Sequence, residues 1–247
     1  MELKENERID DLEFKNLKII QNKNGFCFGI DSVLLSDFAK EIKKDSTVID
    51  LGTGTGIISI LLSEKTKLKK IVGVEIQKDV ADMAIRSVKL NNLENKIEII
   101  NDDINNLCNR FSASSFDAVV TNPPYKKLNT GLTSEDETQL ISRHEIKCNI
   151  EDIAKTSSYL LKNNGATYMV HRPDRLIDIF ESLKKYKLEP KIIRFIYPKI
   201  NKEPNLVLIK AIKGAKPFLK TEKPLIVYNE DNTYTDEILE IYNKKGE

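Results

Sequence analysis

Residues 47–62 restrict the architecture more than any other stretch. Thr47-Val48-Ile49-Asp50-Leu51 is a short apolar strand, followed at once by Gly52-Thr53-Gly54-Thr55-Gly56 and by the helix-like run Ile57-Ile58-Ser59-Ile60-Leu61-Leu62. Strand, glycine turn and helix in that order form the opening unit of a doubly wound α/β fold, in which the turn lets backbone N–H groups approach a ligand closely. Gly56 lets the helix pack against the strand. A G-x-G-x-G alone would serve a dinucleotide equally well.

The next strands narrow the ligand. Ile71-Val72-Gly73-Val74-Glu75 ends in an acid about twenty residues after the turn, where such folds hold ribose hydroxyls. A third strand, Ile97-Glu98-Ile99-Ile100, runs into Asn101-Asp102-Asp103-Ile104. One of the two aspartates would accept from an exocyclic adenine amine; Asp103 is the expected one, because it directly precedes the apolar residue that starts the next helix, and Asp102 is open to either role, acceptor or helix cap. Asp50 would orient the glycine loop or the amino group of the cofactor.

A fourth apolar run, Phe116-Asp117-Ala118-Val119-Val120, ends in Thr121-Asn122-Pro123-Pro124-Tyr125. A planar amino nitrogen is a poor nucleophile because its lone pair is delocalised. Two acceptors aimed at its hydrogens would draw it toward tetrahedral geometry: the side-chain oxygen of Asn122 and the carbonyl of Pro123. Pro123 and Pro124 stiffen the backbone and remove competing donors. Tyr125 offers a flat face on which a base can stack. No cysteine follows a proline here, so the thiolate route to pyrimidine carbon 5 lacks its nucleophile.

Asp50-x-Gly-x-Gly-x-Gly, Glu75, Asp103 and Asn-Pro-Pro-Tyr, in this order, resemble the amino-group branch of class I S-adenosylmethionine-dependent methyltransferases. Within it, the segment Phe26-Cys27-Phe28-Gly29-Ile30-Asp31-Ser32-Val33-Leu34-Leu35 and the stretches His171-Arg172-Pro173 and Tyr197-Pro198-Lys199 resemble bacterial enzymes that methylate N6 of adenosine 37 in valine tRNA. The resemblance covers nearly the whole chain. It implies an α/β Rossmann-like fold with a seven-stranded, mostly parallel sheet whose last strand is antiparallel, and S-adenosyl-L-methionine as cofactor. It adds Phe28, Gly29, Asp31, Ile76, Ile104 and Asn122 to the cofactor-binding set of Asp50, Gly52, Gly54, Gly56, Glu75 and Asp103. The catalytic set is Asn122, Pro123, Pro124 and Tyr125. Other planar amino groups remain open as substrates: glutamine N5 of release factors, guanine N2 of rRNA and adenine N6 of DNA.

Downstream, the pattern predicts a loop over 126–139, a helix over 150–161, a turn at Asn163-Asn164-Gly165 and a strand over 166–170. A helix from Arg172-Pro173-Asp174 to about 185 and strands over 191–197 and 205–212 follow, then a helical 236–244. The loop reads as a substrate clamp and Arg143-His144-Glu145 as phosphate or substrate contacts, whereas His171 reads as a strand-end histidine. The chain has 247 residues, 40% of them hydrophobic, enough for one large α/β domain. The expected division is an N-terminal hairpin or lid over 1–28, the methyltransferase domain over 29–212 and a C-terminal extension over 213–247.

No apolar run nears the ~18 residues of a membrane span, and the first ten residues are mostly polar, so a soluble, cytoplasmic monomer is expected. Cys27, Cys108 and Cys148 form no C-x-x-C, and only His144 and His171 are present, so neither a disulfide frame nor a metal is expected. The net charge is +1, yet residues 184–223 hold 12 Lys or Arg against 3 acids, leaving −8 for the remainder. That basic sector fits a polyanion, and the resemblance implies that it is a tRNA.

Overall fold

A computed structural model describes residues 2–25, 29–125 and 149–244. An antiparallel hairpin, β1 (Glu7–Asp11) and β2 (Lys18–Asn22), precedes α1 (Ile30–Phe38). Alternation then begins: β3 (Thr47–Leu51), α2 (Ile57–Lys65), β4 (Lys70–Glu75), α3 (Lys78–Leu90), β5 (Ile97–Asn101), a 3-10 turn at Ile104–Asn106, α4 (Leu107–Arg110) and β6 (Phe116–Thr121). The second half holds α5 (Ile150–Leu160), β7 (Leu161–His171), α6 (Leu176–Lys185), β8 (Leu188–Tyr197), β9 (Leu206–Lys213), the two-residue strands β10 (Lys220–Thr221) and β11 (Leu225–Ile226), and α7 (Asp236–Ile241).

The strands form one sheet in the order β10-β8-β9-β7-β6-β3-β4-β5, with β11 also on β8. Only β9 runs antiparallel to the others. The expected seven-stranded, mostly parallel arrangement is therefore the body of the sheet, and β10 and β11 widen it to nine. Two-residue strands flanked by Pro217 and Pro224 carry no alternation that a sequence reading can detect. The strand after α5 starts at Leu161 and absorbs the expected Asn163-Asn164-Gly165 turn, with Asn164 at φ 63° and a register shift between Phe116 and Ala118 of the neighbouring strand. The local signal for a turn was real, but it bends a strand already paired along its length.

Alternate side chains of each parallel strand enter two cores. Val48, Ile71, Ala118 and Val120 meet α1, α2 and the Val88 side of α3 on one face. Ile49, Val72, Phe116 and Val119 meet α4, α5 and α6 on the other. Burial on both faces explains the near-continuous apolar runs of the sequence.

The hairpin joins the first core through Leu12, Phe14, Leu17 and Ile19, and a bidentate Arg86–Glu7 pair and the Ile20 N–H to Ser87 Oγ bond (2.9 Å) clamp it to α3. The C-terminal segment joins the same core through Leu225, Ile238 and Ile241. Between β3 and β6 the order of connection reverses. That switch point, at the carboxyl ends of the strands, is where open α/β sheets bind ligands.

Candidate active site at the carboxyl ends of the strands

Asp50 is fully buried near the end of β3, and its Oδ2 accepts from Thr53 Oγ1 (2.6 Å) and Ser59 Oγ (2.9 Å). These bonds tie strand, glycine loop and the first turns of α2 together. Burial pushes the Asp50 carboxyl up to about 6 against the pull of Thr53 and Ser59. Its other oxygen, Oδ1, is buried and has no hydrogen-bond partner.

The loop folds back on β4, where the N–H groups of Gly52 and Thr53 both donate to the Val74 carbonyl at 2.9 Å. Gly52 (φ 73°) and Gly54 (φ 59°) occupy the left-handed region, and a Cβ built on either meets nothing within 4 Å. The backbone conformation and the open space beside it are what a closely approaching ligand requires.

Glu75 closes the other wall. It is 5% exposed; Oε2 accepts from the Gly54 N–H at 3.1 Å and Oε1 from the Gln77 N–H at 2.9 Å. Oε1 also lies 3.5 Å from Gln77 Nε2, so Oε2 is the oxygen that keeps a second lone pair for a hydroxyl. Asn101, which sequence reasoning did not select, donates from Nδ2 to the carbonyls of Glu75 (2.8 Å) and Ile76 (3.0 Å) and fixes that strand end.

The helix cap is Asp103 and not Asp102. Asp103 Oδ1 accepts from Asn105 N (2.9 Å) and Nδ2 (3.1 Å), and Asp102 Oδ1 accepts from the Asp103 N–H (2.8 Å). Asp103 is partly exposed and Ile104 is buried beside it. The residues present thus fit a nucleoside-bearing cofactor: an open glycine turn, an orphaned carboxylate oxygen, and half-occupied acid groups at two further strand ends. Phe28 lies outside the described residues.

Asn122 follows β6, whose last residue Thr121 donates from Oγ1 to the Leu51 carbonyl at 2.8 Å, so the acceptor segment is tied to the strand that carries the glycine loop. Pro123 is buried and Pro124 exposed. Asn122 Nδ2 lies 3.2 Å from Asp31 Oδ2 and 3.1 Å from Ser32 Oγ, both in the first turn of α1. Tyr125 turns its hydroxyl inward, 2.5 Å from Asp31 Oδ2 and 2.8 Å from Asn122 Oδ1. Burial and the Asp31 charge hold this phenol far above its ordinary value, so it is a donor.

The Tyr125 ring stands edge-to-face against His171, with centroids 5.3 Å apart. His171 is buried at the end of β7; its Nδ1 accepts from the Arg172 N–H (2.8 Å) and Nε2 has no hydrogen-bond partner. Burial, aided by the Arg175 charge, pulls it down to about 4, so it is neutral at pH 7 and carries its proton on Nε2. Ser32, Thr53, Ser59 and Thr121 were not singled out from sequence, and a lone hydroxyl in an apolar run gives no signal there. Residues 126–139 and Arg143-His144-Glu145 lie outside the described residues.

The basic stretch is divided by the topology. Because β8 runs parallel to β6, Lys199 and Lys202 follow its carboxyl end, at the same end of the sheet as Asn122 and Arg172. Lys187, Lys191, Lys213 and Lys216 gather at the opposite end, where the Gly214 N–H donates to the Lys187 carbonyl and Lys191 Nζ to the Lys216 carbonyl. Among the described residues no group of three or more acids, histidines or cysteines could hold a metal. No helix of those residues is long and apolar enough to cross a membrane.

A glycine turn after β3, acids at the end of β4 and after β5, and Asn122 after β6, on a sheet of this order, are the arrangement of a class I, S-adenosylmethionine-dependent methyltransferase. The sequence model for the methyltransferase small domain matches residues 12–176, and the chain belongs to that family. Relatives share modest identity along most of its length. A tRNA1(Val) (adenine(37)-N6)-methyltransferase of Haemophilus influenzae is 25% identical over 229 residues, 92% of this chain and 94% of that one. One of Porphyromonas gingivalis with the same name is 28% identical over 204 residues, 81% and 79% of the two chains.

Among solved structures, a predicted O-methyltransferase from Agrobacterium tumefaciens superposes with a TM-score of 0.69 at 22% identity, covering 87% of this chain and 96% of that one. Geranyl diphosphate C-methyltransferase from Streptomyces coelicolor, solved with S-adenosyl-L-homocysteine, gives a TM-score of 0.56 at 12% identity over 74% and 77% of the chains. These two likenesses establish the fold alone.

Proposed function

We propose that this protein methylates N6 of an adenine in tRNA, at adenosine 37 of valine tRNA, with S-adenosyl-L-methionine as donor. The observation that carries the reading is Asn122, whose amide is held at the carboxyl end of β6 next to the cofactor wall. The names of relatives that align over nearly the whole chain direct the amino-nitrogen chemistry toward tRNA adenine.

The glycine loop, Glu75, Asp103 and Ile104 would hold the cofactor, which supplies an electrophilic methyl group when bound. Asn122 Oδ1 accepts one hydrogen of the adenine amino group and localises the nitrogen lone pair. Pro123, rigid and buried, is the second acceptor through its carbonyl. No strong base is required, because the nitrogen becomes acidic once methylated. The dominant contribution is preorganised acceptors beside a positive centre. An adenine in a folded RNA must leave its stack to reach this pocket. To receive it, Tyr125 gives up Asn122 Oδ1 and keeps its hydroxyl on Asp31 Oδ2.

Lys199, Lys202 and Arg172, on the face that carries Asn122, are the groups best placed to meet phosphates. The lysines at the amino end lie away from that face, where Lys191 and Lys213 donate to the carbonyls of Lys216 and Leu161. A monomer in the cytoplasm agrees with this reading.

The test offers labelled S-adenosylmethionine with total tRNA, rRNA, DNA and release factor in parallel, followed by nucleoside and amino-acid analysis. Label in N6-methyladenosine of tRNA is expected. Label in release-factor glutamine instead would replace the nucleic-acid reading with a protein substrate.

A further inference from the structure

We infer that Asp31, assisted by Ser32, is a positioning residue that determines which end of the Asn122 amide meets the substrate. The inference rests on the amino-nitrogen reading above and goes beyond it. An asparagine amide is nearly symmetric in shape. A half-turn about its last torsion exchanges an acceptor for a donor, and an N–H facing the hydrogens of an amino group would repel it. A neighbour that can only accept removes the ambiguity. An ionised carboxylate is such a neighbour, and Asp31 Oδ2 lies 3.2 Å from Asn122 Nδ2, with Ser32 Oγ at 3.1 Å. The oxygen of Asn122 is thereby directed away from Asp31.

The carboxylate is itself held. It is 8% exposed, Oδ1 accepts from the Ser32 N–H at 2.9 Å, and it sits in the first turn of α1, where the helix end favours a negative charge. Gly29 makes room for it: a Cβ at that position would stand 2.8 Å from Asp31 Oδ1.

Asp31 also resolves a competition. The single proton of the Tyr125 hydroxyl faces both Asp31 Oδ2 (2.5 Å) and Asn122 Oδ1 (2.8 Å). When a substrate N–H claims Asn122 Oδ1, the hydroxyl keeps a full, charged acceptor in Asp31, so it gives up that oxygen without being left unpaired.

The experiment is a double-mutant cycle on single-turnover methyl transfer to tRNA, with cofactor affinity measured in parallel. Asp31→Asn keeps the size but loses the accept-only character. It should slow transfer about tenfold or more, by a clearly larger factor than any weakening of S-adenosylmethionine binding. Asp31→Glu should recover part of the rate. In an Asn122→Ala background, Asp31→Asn should cost almost nothing further, because it acts through that side chain. Gly29→Ala, which crowds the carboxylate without changing its charge, should show the same coupling and serves if Asp31→Asn fails to fold.

Independent, multiplicative effects of the two substitutions would overturn the inference. So would a loss of cofactor affinity at unchanged rate, which would make Asp31 a cofactor ligand. If Asn122→Ala alone left the rate intact, the amino-nitrogen reading would fall first and separately.

Discussion

Glu75 performs two tasks that substitution can separate. Its carboxylate accepts one backbone N–H on each oxygen, from Gly54 at 3.1 Å and Gln77 at 2.9 Å, and Oε2 keeps a lone pair for a ribose hydroxyl while Oε1 also lies 3.5 Å from Gln77 Nε2. Glu75→Ala removes both backbone acceptors from a site that is 5% exposed. With net worth near 1–2 kcal/mol for each lost bond, the free protein should lose about 2–4 kcal/mol. At roughly 2–4 °C per kcal/mol for a chain of this size, the melting temperature should fall by about 4–16 °C. The hydroxyl it leaves unpaired should weaken S-adenosylmethionine by about tenfold to a hundredfold.

Glu75→Gln isolates the second task. Its amide oxygen can still serve one of the two N–H groups, so stability should fall less, while the ribose still faces one donor where it needs an acceptor. Calorimetric titration with S-adenosylmethionine and thermal unfolding on the same samples read both quantities. A folded Glu75→Ala protein that binds the cofactor within about threefold of wild type would refute the ribose assignment. An unchanged melting temperature would refute the claim that the carboxylate secures the loop.

Gly73→Ala should weaken cofactor binding from inside the sheet, because the new Cβ would lie 2.9 Å from Thr53 Oγ1, the hydroxyl that holds Asp50. An overpacking cost of about 1–3 kcal/mol is expected in chemical denaturation, together with lower affinity in calorimetry. Asp50 and His171 should pull the pH profile of stability in opposite directions. The raised Asp50 makes the native state bind more protons between pH 3.8 and about 6, so its contribution falls as pH rises through that window. The lowered His171 makes the unfolded state bind more between about 4 and 6.5, so its contribution is lost as pH falls there.

Urea unfolding of Asp50→Asn and His171→Gln across pH 4–7 should therefore show differences from wild type that change by up to about 3 kcal/mol, growing toward high pH for the first and toward low pH for the second. Parallel profiles would refute both assignments. Replacing Lys199 and Lys202 by Ala should reduce the salt slope of tRNA binding by roughly 0.7–0.9 per lost phosphate contact, whereas Lys213 and Lys216 should be silent. Equal effects from both pairs would place RNA on the wrong end of the sheet.

The contiguous parts of this protein are legible in its chain. Residues 47–62 carry the strand, the turn and the helix that follows, because a short apolar run and glycine chemistry are local properties written in neighbouring residues. Glu75 and Asn122 are legible for the same reason: each ends an apolar run, and in a parallel sheet every such end lies on one side. Contacts between distant segments are a different matter. Asp31 meets Asn122 across 91 positions and Arg86 meets Glu7 across 79, and no periodicity marks such pairs.

The basic run from 184 to 223 shows the limit most clearly. As a sequence it is one patch, but β9 enters between β7 and β8 in the reverse direction and returns the chain to the far end of the sheet. Neighbours in sequence are thus carried to opposite ends of the molecule, because strand direction is set by long-range hydrogen-bond pairing and core packing, which the charges of the lysines do not control.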